Sequence, residues 1–196
     1  MGLSIVLAAM WGFAEATLFF IVPDVLLTFL AILGPESAWA GCAAAIGGAL
    51  VGGSIMYAWG ARDDSRARDV LIRIPAIDNR EVAAVRESVG RSGFGAVFLG
   101  PLRGTPYKLY AVEVGRRRLS LPLFLAISIP ARGIRFVAAT LLALWLAGGP
   151  LEAWSSGAMA ALVMAFWIVF YIGYFRLKSR TVDRGEVASG SAGPAA

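Results

Sequence analysis

The sequence predicts an all-α integral membrane protein, an inverted repeat of re-entrant hairpin plus transmembrane helix with an additional C-terminal transmembrane helix. Three observations carry that expectation. Of the 196 residues, 58% are hydrophobic, beyond the range of ordinary soluble domains. The apolar residues gather into stretches that match the roughly 20 helical residues needed to cross about 30 Å of hydrocarbon. Proline and glycine interrupt two of these stretches midway, and basic residues fall in only some of the connections.

The first stretch, Leu3 to Leu33, is too long for one untilted span and is interrupted at Pro23. It lacks a basic n-region and outruns a signal peptide, so it is expected to stay in the mature protein. A full span follows from Trp39 to Trp59. The linker, 61–93, holds one recognisable helix, in which Asp78 caps, Glu81 follows three residues later, and Val82, Val85 and Val89 share a face. A charged helix with one apolar face is expected to lie on the membrane surface. Phe94 to Val114 is broken by Pro101, Gly104 and Pro106, and Leu121 to Ala147 is a second span. A last span covers 157–176, and 181–196 reads as a disordered tail of glycine, serine, alanine and charge. Residues 1–180 form a single membrane domain, with repeat one at 3–60 and repeat two at 94–147.

The net charge of +5 lies in the loops beside membrane segments, which points to anionic lipid rather than nucleic acid. Seven arginines fall between Arg62 and Arg91, Arg116 to Arg118 form a second cluster, and Arg176, Lys178, Arg180 and Arg184 follow the last span. The positive-inside rule assigns all three regions, and the C-terminus, to the cytoplasm. The connections at Gly34 to Ala38 and Gly148 to Ser156 carry no lysine or arginine and fall on the opposite side. Phe94 to Val114 must then enter and leave on the same side, as a re-entrant hairpin does. The two spans run in opposite directions, the arrangement that places transporter sites at the bilayer midplane.

Charges within the apolar stretches are the candidate working parts. Glu15 and Asp24, nine positions apart, would face opposite ways on one continuous helix and can share a cavity only if the chain reverses near Pro23. Two readings stand for them: proton carriage, or Asp24 as a helix cap and Glu15 as a structural partner of an arginine. Arg132 and Arg135, three apart, share one face near the middle of a span and cannot face lipid. They either form fixed ion pairs with Glu15 and Asp24 or bind a phosphate headgroup, to which guanidinium is well matched. Lys108 either joins them or extends to the interface, while Arg103 and Glu113 lie nearer the segment ends. Gly48 and Gly52 have the spacing of close helix contact, and the tryptophans read as interfacial anchors.

Cys42 is the only cysteine and there is no histidine, which excludes internal disulfides, Cys/His metal sites and histidine acid–base chemistry. No nucleophile–base pair stands out, so neither an enzyme nor a cofactor is expected.

The run EATLFFIVPDVLL, Glu15 to Leu27, resembles the acidic re-entrant motif of the DedA family, also called the SNARE-associated Golgi protein or VTT family, and especially its small YqaA-like bacterial members. TPYKLYAVEVG, Thr105 to Gly115, is similar to that group's Pro-Tyr-Lys hairpin motif, and ARGIRF, Ala131 to Phe136, to its Arg-Gly-x-Arg-Phe signature. Phe20, Val22 and Gly104 stand where such relatives often carry proline, and Arg103 has no clear counterpart. The resemblance implies a lipid flippase or scramblase of the bacterial inner membrane, acting on polyprenyl phosphates or phospholipids, with proton coupling in some members. It implies functional status for Glu15, Asp24, Arg132 and Arg135, and for Lys108. The competing expectations are a proton-coupled ion or small-solute carrier, and a membrane assembly factor whose buried charges only hold the hairpins together.

Overall fold

The computed structural model describes the backbone of residues 2–75 and 77–190, and their side chains as far as 176. Among these residues all regular structure is helical: α1 (Gly2–Thr17), α2 (Asp24–Ile32), α3 (Pro35–Arg62), α4 (Asp64–Leu71), α5 (Asn79–Ser92), α6 (Phe94–Leu102), α7 (Tyr107–Arg116), α8 (Leu121–Ala147) and α9 (Ser156–Gly190). The chain divides into two units, Met1–Trp154 and Ser155–Ala196. Pro35–Arg62, Leu121–Ala147 and Ser156–Arg176 are each long and apolar enough to cross a membrane, which makes this a multi-pass membrane protein.

The interruption expected at Pro23 is present. The Thr17 hydroxyl donates to the carbonyls of Phe13 and Ala14, both at 3.0 Å, and a wide turn from Phe19 N–H to the Ala14 carbonyl at 2.8 Å closes α1. The chain is non-helical until Pro23 occupies the N-cap of α2, with Asp24 in the first turn. Trp11 Nε1 donates to the Ile21 carbonyl at 3.0 Å, so this indole ties the connection back onto α1 instead of anchoring a segment end. The second interruption is narrower than the sequence suggests. Pro101 sits inside the last turns of α6, and the break comes at Gly104, whose φ of 89° suits glycine, and at Pro106, the N-cap of α7.

The linker contains two helices where the sequence shows one. At the start of α4 the Asp63 carboxylate accepts from the Arg66 amide at 3.0 Å and the Ser65 hydroxyl at 2.8 Å. The Arg66 amide bond, with the Ser65 hydroxyl second, holds this carboxyl below its ordinary range. The predicted α5 cap is present, with Asp78 accepting from the Glu81 amide at 2.8 Å. Asp78→Ala is expected to cost about 1 kcal/mol, read as faster hydrogen exchange of the first-turn amides of α5.

Helix α3 is the spine of the first unit. A Cβ on Gly12 would collide with the Ala45 carbonyl, and one on Gly48 with the Ala9 carbonyl, so α1 and α3 meet backbone to backbone. Further along α3, Gly60 abuts the Val112 carbonyl and Gly115 of α7 abuts the Tyr57 carbonyl in the same way. The small-residue spacing at Gly48 and Gly52 therefore marks a real seam against α1.

Glu113, given little weight by its position near a segment end, is buried at the centre of an ion cluster. It accepts from Arg116 at 2.6 and 2.7 Å and from Arg117 at 2.5 Å, and lies 3.6 Å from Arg86. Arg86 in turn bonds Asp64 at 2.5 Å, which joins α4 and α5 to α7.

In the second unit, the backbone of α9 is helical to Gly190, past Thr181, where the sequence starts its disordered tail. Residues 191–196 of the expected tail lie outside the described residues.

Candidate functional site

The five charged residues singled out in the apolar stretches converge. Arg132, on α8, forms a buried ion pair with Glu15 of α1, and one turn away Arg135 pairs with Asp24 of α2. The Arg135–Asp24 contact is two-pronged, with Arg135 Nε 3.2 and 3.5 Å from the two carboxylate oxygens while Nη2 also donates. Asp24 thus serves as a first-turn acid at the positive end of α2 and as an arginine partner. Glu15 and Asp24 do not touch the same arginine. They are brought together because the three-residue spacing of Arg132 and Arg135 puts both guanidinium groups near one ring, 5.1 and 5.8 Å from the centre of Phe136.

Lys108 does not extend to an interface. It is 2% exposed, and its Nζ donates to the Phe19 carbonyl at 2.5 Å. That carbonyl lies just beyond the C-terminus of α1, where a cation is favoured. The bond joins the two broken segments at their breaks, because Phe19 lies between α1 and α2 and Lys108 is the second residue of α7, just after the Arg103–Pro106 connection. Lys108→Met is expected to weaken this joint and leave the Phe19 carbonyl without its ammonium partner. Disulfide trapping between cysteines placed at Phe19 and Thr105 would report the joint as slower cross-linking in the variant.

Two residues that charge alone does not reveal complete the site. The Tyr107 ring centre lies 4.6 Å from the Arg132 guanidinium carbon, so that with Phe136 two aromatic rings approach one cation. The Tyr107 hydroxyl donates to Ser128 Oγ at 2.9 Å, and Ser128 donates on to the Phe124 carbonyl at 2.7 Å. A Cβ on Gly53 would strike the Tyr107 hydroxyl, so that glycine makes room for the ring. The available signals were adjacency to Lys108 for Tyr107 and the i+4 spacing from Arg132 for Phe136. Arg103 and Glu113 stay outside this cluster.

The two ion pairs differ in access. Arg132 and Glu15 side chains are 5% and 10% exposed, whereas Arg135 is 36% exposed against 6% for Asp24. Chemically, the arrangement holds one guanidinium against a carboxylate and two rings and presents the next to its surroundings. Among the described residues the cluster brings together three cations, Lys108, Arg132 and Arg135, and the carboxylates Glu15 and Asp24. Comparison of the chain with protein-family models, curated proteins and solved structures gave no match.

Proposed function

We propose that this protein moves an anionic lipid headgroup, a polyprenyl phosphate or a phospholipid, across the bacterial inner membrane, with Arg135 as the residue that takes the phosphate. The observation that carries the reading is the two-pronged Arg135–Asp24 contact, in which Arg135 is one-third exposed while Asp24 is buried. A guanidinium in a low-dielectric setting needs an anionic partner, and a phosphate can serve as one in place of a carboxylate. A phosphate arriving at Arg135 competes with Asp24 for the same two-pronged donor face. The released Asp24 carboxylate then either takes a proton or stays charged, and in the first case lipid movement carries a proton with it. Arg132, clamped by Glu15, Tyr107 and Phe136, positions the cluster, and Lys108 holds the two breaks together.

The topology proposed with this function is the inverted repeat, in which α1–α2 and α6–α7 are re-entrant hairpins and α3 and α8 the opposed spans, the C-terminus being cytoplasmic. Supporting it are the paired order of two short helices and one long one, 16, 9 and 28 residues and then 9, 10 and 27, and the distribution of arginines. The bond between the breaks is consistent with two hairpin tips meeting within the bilayer. The resemblance of three motifs to the DedA family favours lipid over a soluble solute.

Mass spectrometry of lipid co-purified with the protein tests the binding step. Wild type is expected to retain an anionic phosphate lipid, and Arg135→Gln to lose about tenfold or more of it, the effect of removing a charge-assisted hydrogen bond. Equal retention by the two proteins would reject Arg135 as the binding residue.

A further inference from the structure

Charged helices stand beside the second broken segment at the depth of its break. Helix α7 packs along the last part of α3, with the Tyr107 hydroxyl where a Cβ on Gly53 would lie and the Val112 carbonyl against Gly60. Gly53 and Gly60 are seven residues apart, about 10 Å of helix. The break at Arg103–Pro106 precedes Tyr107, so it lies at least that far inside the end of the candidate span at Arg62. Helix α5 runs beside α7 in the same direction: the Arg117 guanidinium lies against Gly90, Arg86 is 3.6 Å from Glu113, and Glu81 shares a wall with Thr105. Its first turn therefore stands level with the break. Arg80, Glu87 and Arg91 of α5 are exposed, as are Arg66 and Asp69 of α4, which also packs on α7. Hydrocarbon does not solvate a row of exposed charges, so water rather than lipid borders α7 on this side.

The space for that water is present. Helices α5, α6 and α7 enclose an open groove of about 300 Å³, room for several waters. It extends from Ser92 and Gly95, where α5 passes into α6, to Arg103 and Thr105 at the break. Arg103 is exposed, and neither its guanidinium nor the Tyr110 hydroxyl on the groove wall has a protein partner among the described residues. Tyr110 is 4% exposed, and a Cβ on Gly100 would strike its ring and hydroxyl, so α6 is cut away to seat it. A guanidinium and a phenol held at this depth without protein partners need water to satisfy them.

We infer that the α5–α6–α7 groove is a water-filled inlet, which opens at Ser92 and carries the aqueous phase and its small ions to the break of the second hairpin. The inlet rests on the re-entrant topology of the proposed function and gives it a side, since the groove opens beside the basic linker on the cytoplasmic face. Lys108 is turned by about 200° from Tyr110 on α7. One helix, about 10 Å wide, thus separates the inlet from the Lys108–Phe19 joint.

The test uses the full chain with Cys42→Ala and one of Ser92→Cys, Thr105→Cys or Ile55→Cys, in membrane vesicles of either orientation, with a membrane-impermeant maleimide outside. Arg103→Cys is the inner probe should Thr105→Cys not fold. Ile55 is 49% exposed and two residues from Gly53, so it samples the depth of the break on an exposed face of α3. From the cytoplasmic side, Thr105→Cys is expected to react within about tenfold of Ser92→Cys, and Ile55→Cys about a hundredfold more slowly, because hydrocarbon does not support the reactive thiolate. Protection of the inner probe while Ser92→Cys reacts from the cytoplasmic side overturns the inlet and leaves the topology standing. Reaction of Ile55→Cys as fast as the inner probe puts the hairpin outside the hydrocarbon and overturns both. Reaction of Ser92→Cys from the opposite side alone also overturns both.

Discussion

Arg132→Ala is expected to lower the free energy of unfolding by about 3–5 kcal/mol, the loss typical of breaking a buried ion pair on one side. Arg132 is 5% exposed, and its removal leaves the Glu15 carboxylate, itself 7% exposed, without its guanidinium partner among apolar helices. It also removes the cation that approaches the Tyr107 and Phe136 rings. Much of the loss belongs to the stranded carboxylate rather than to the pair, so Glu15→Gln combined with Arg132→Met is expected to recover most of it. Arg135→Ala is expected to cost less, because that side chain is 36% exposed and its charge is better screened. Unfolding in mixed micelles, followed by tryptophan fluorescence, gives the three losses relative to wild type. An Arg132→Ala loss no larger than that of Arg135→Ala would mean that the enclosure of Arg132 has little energetic weight.

Gly48→Leu is expected to disrupt the α1–α3 seam, with a penalty of about 3 kcal/mol at the upper end of overpacking costs. The obstacle to a side chain at Gly48 is the backbone carbonyl of Ala9, which cannot move aside as a flexible side chain can. Gly47, its neighbour in sequence, faces open space and has no atom within 4 Å of a built Cβ. Gly47→Leu therefore serves as the matched control and is expected to be close to neutral. Because Glu15 and Asp24 are presented by the segment that α1 begins, a displaced α1 also displaces the ion pairs. Loss of stability at both glycines alike would show that the penalty comes from helix composition rather than from the seam.

The span boundaries and both breaks were legible because they depend on local chemistry: a hydrophobic run, a proline without an amide proton, a glycine at positive φ. The α5 cap was legible for the same reason, as Asp78 and Glu81 are three residues apart. Helix α4 was not, since its eight residues are strongly polar and only the Asp63 cap marks its start. Within the site, the charges stood out against an apolar background, but which acid meets which arginine is set by how α1 and α2 pack on α8, a relation between residues 111 and 117 positions apart. Tyr107 and Phe136 were missed because an aromatic residue in a membrane segment is ordinarily a packing residue, and only the position of the guanidinium distinguishes them. Glu113 was underrated because the two linker helices that bring Arg86 and Asp64 toward it are separated from it by a folding step that no local pattern encodes.

Transfer of a fluorescent short-chain phosphatidylglycerol in proteoliposomes, read by dithionite quenching, tests most directly whether the paired arginines form an anion pathway. Wild type is expected to accelerate transfer, Arg135→Gln to reduce the accelerated rate about tenfold or more, and Arg135→Lys to restore part of it by returning the charge without the two-pronged geometry. Equal transfer by wild type and Arg135→Gln, with both proteins folded, would contradict the account.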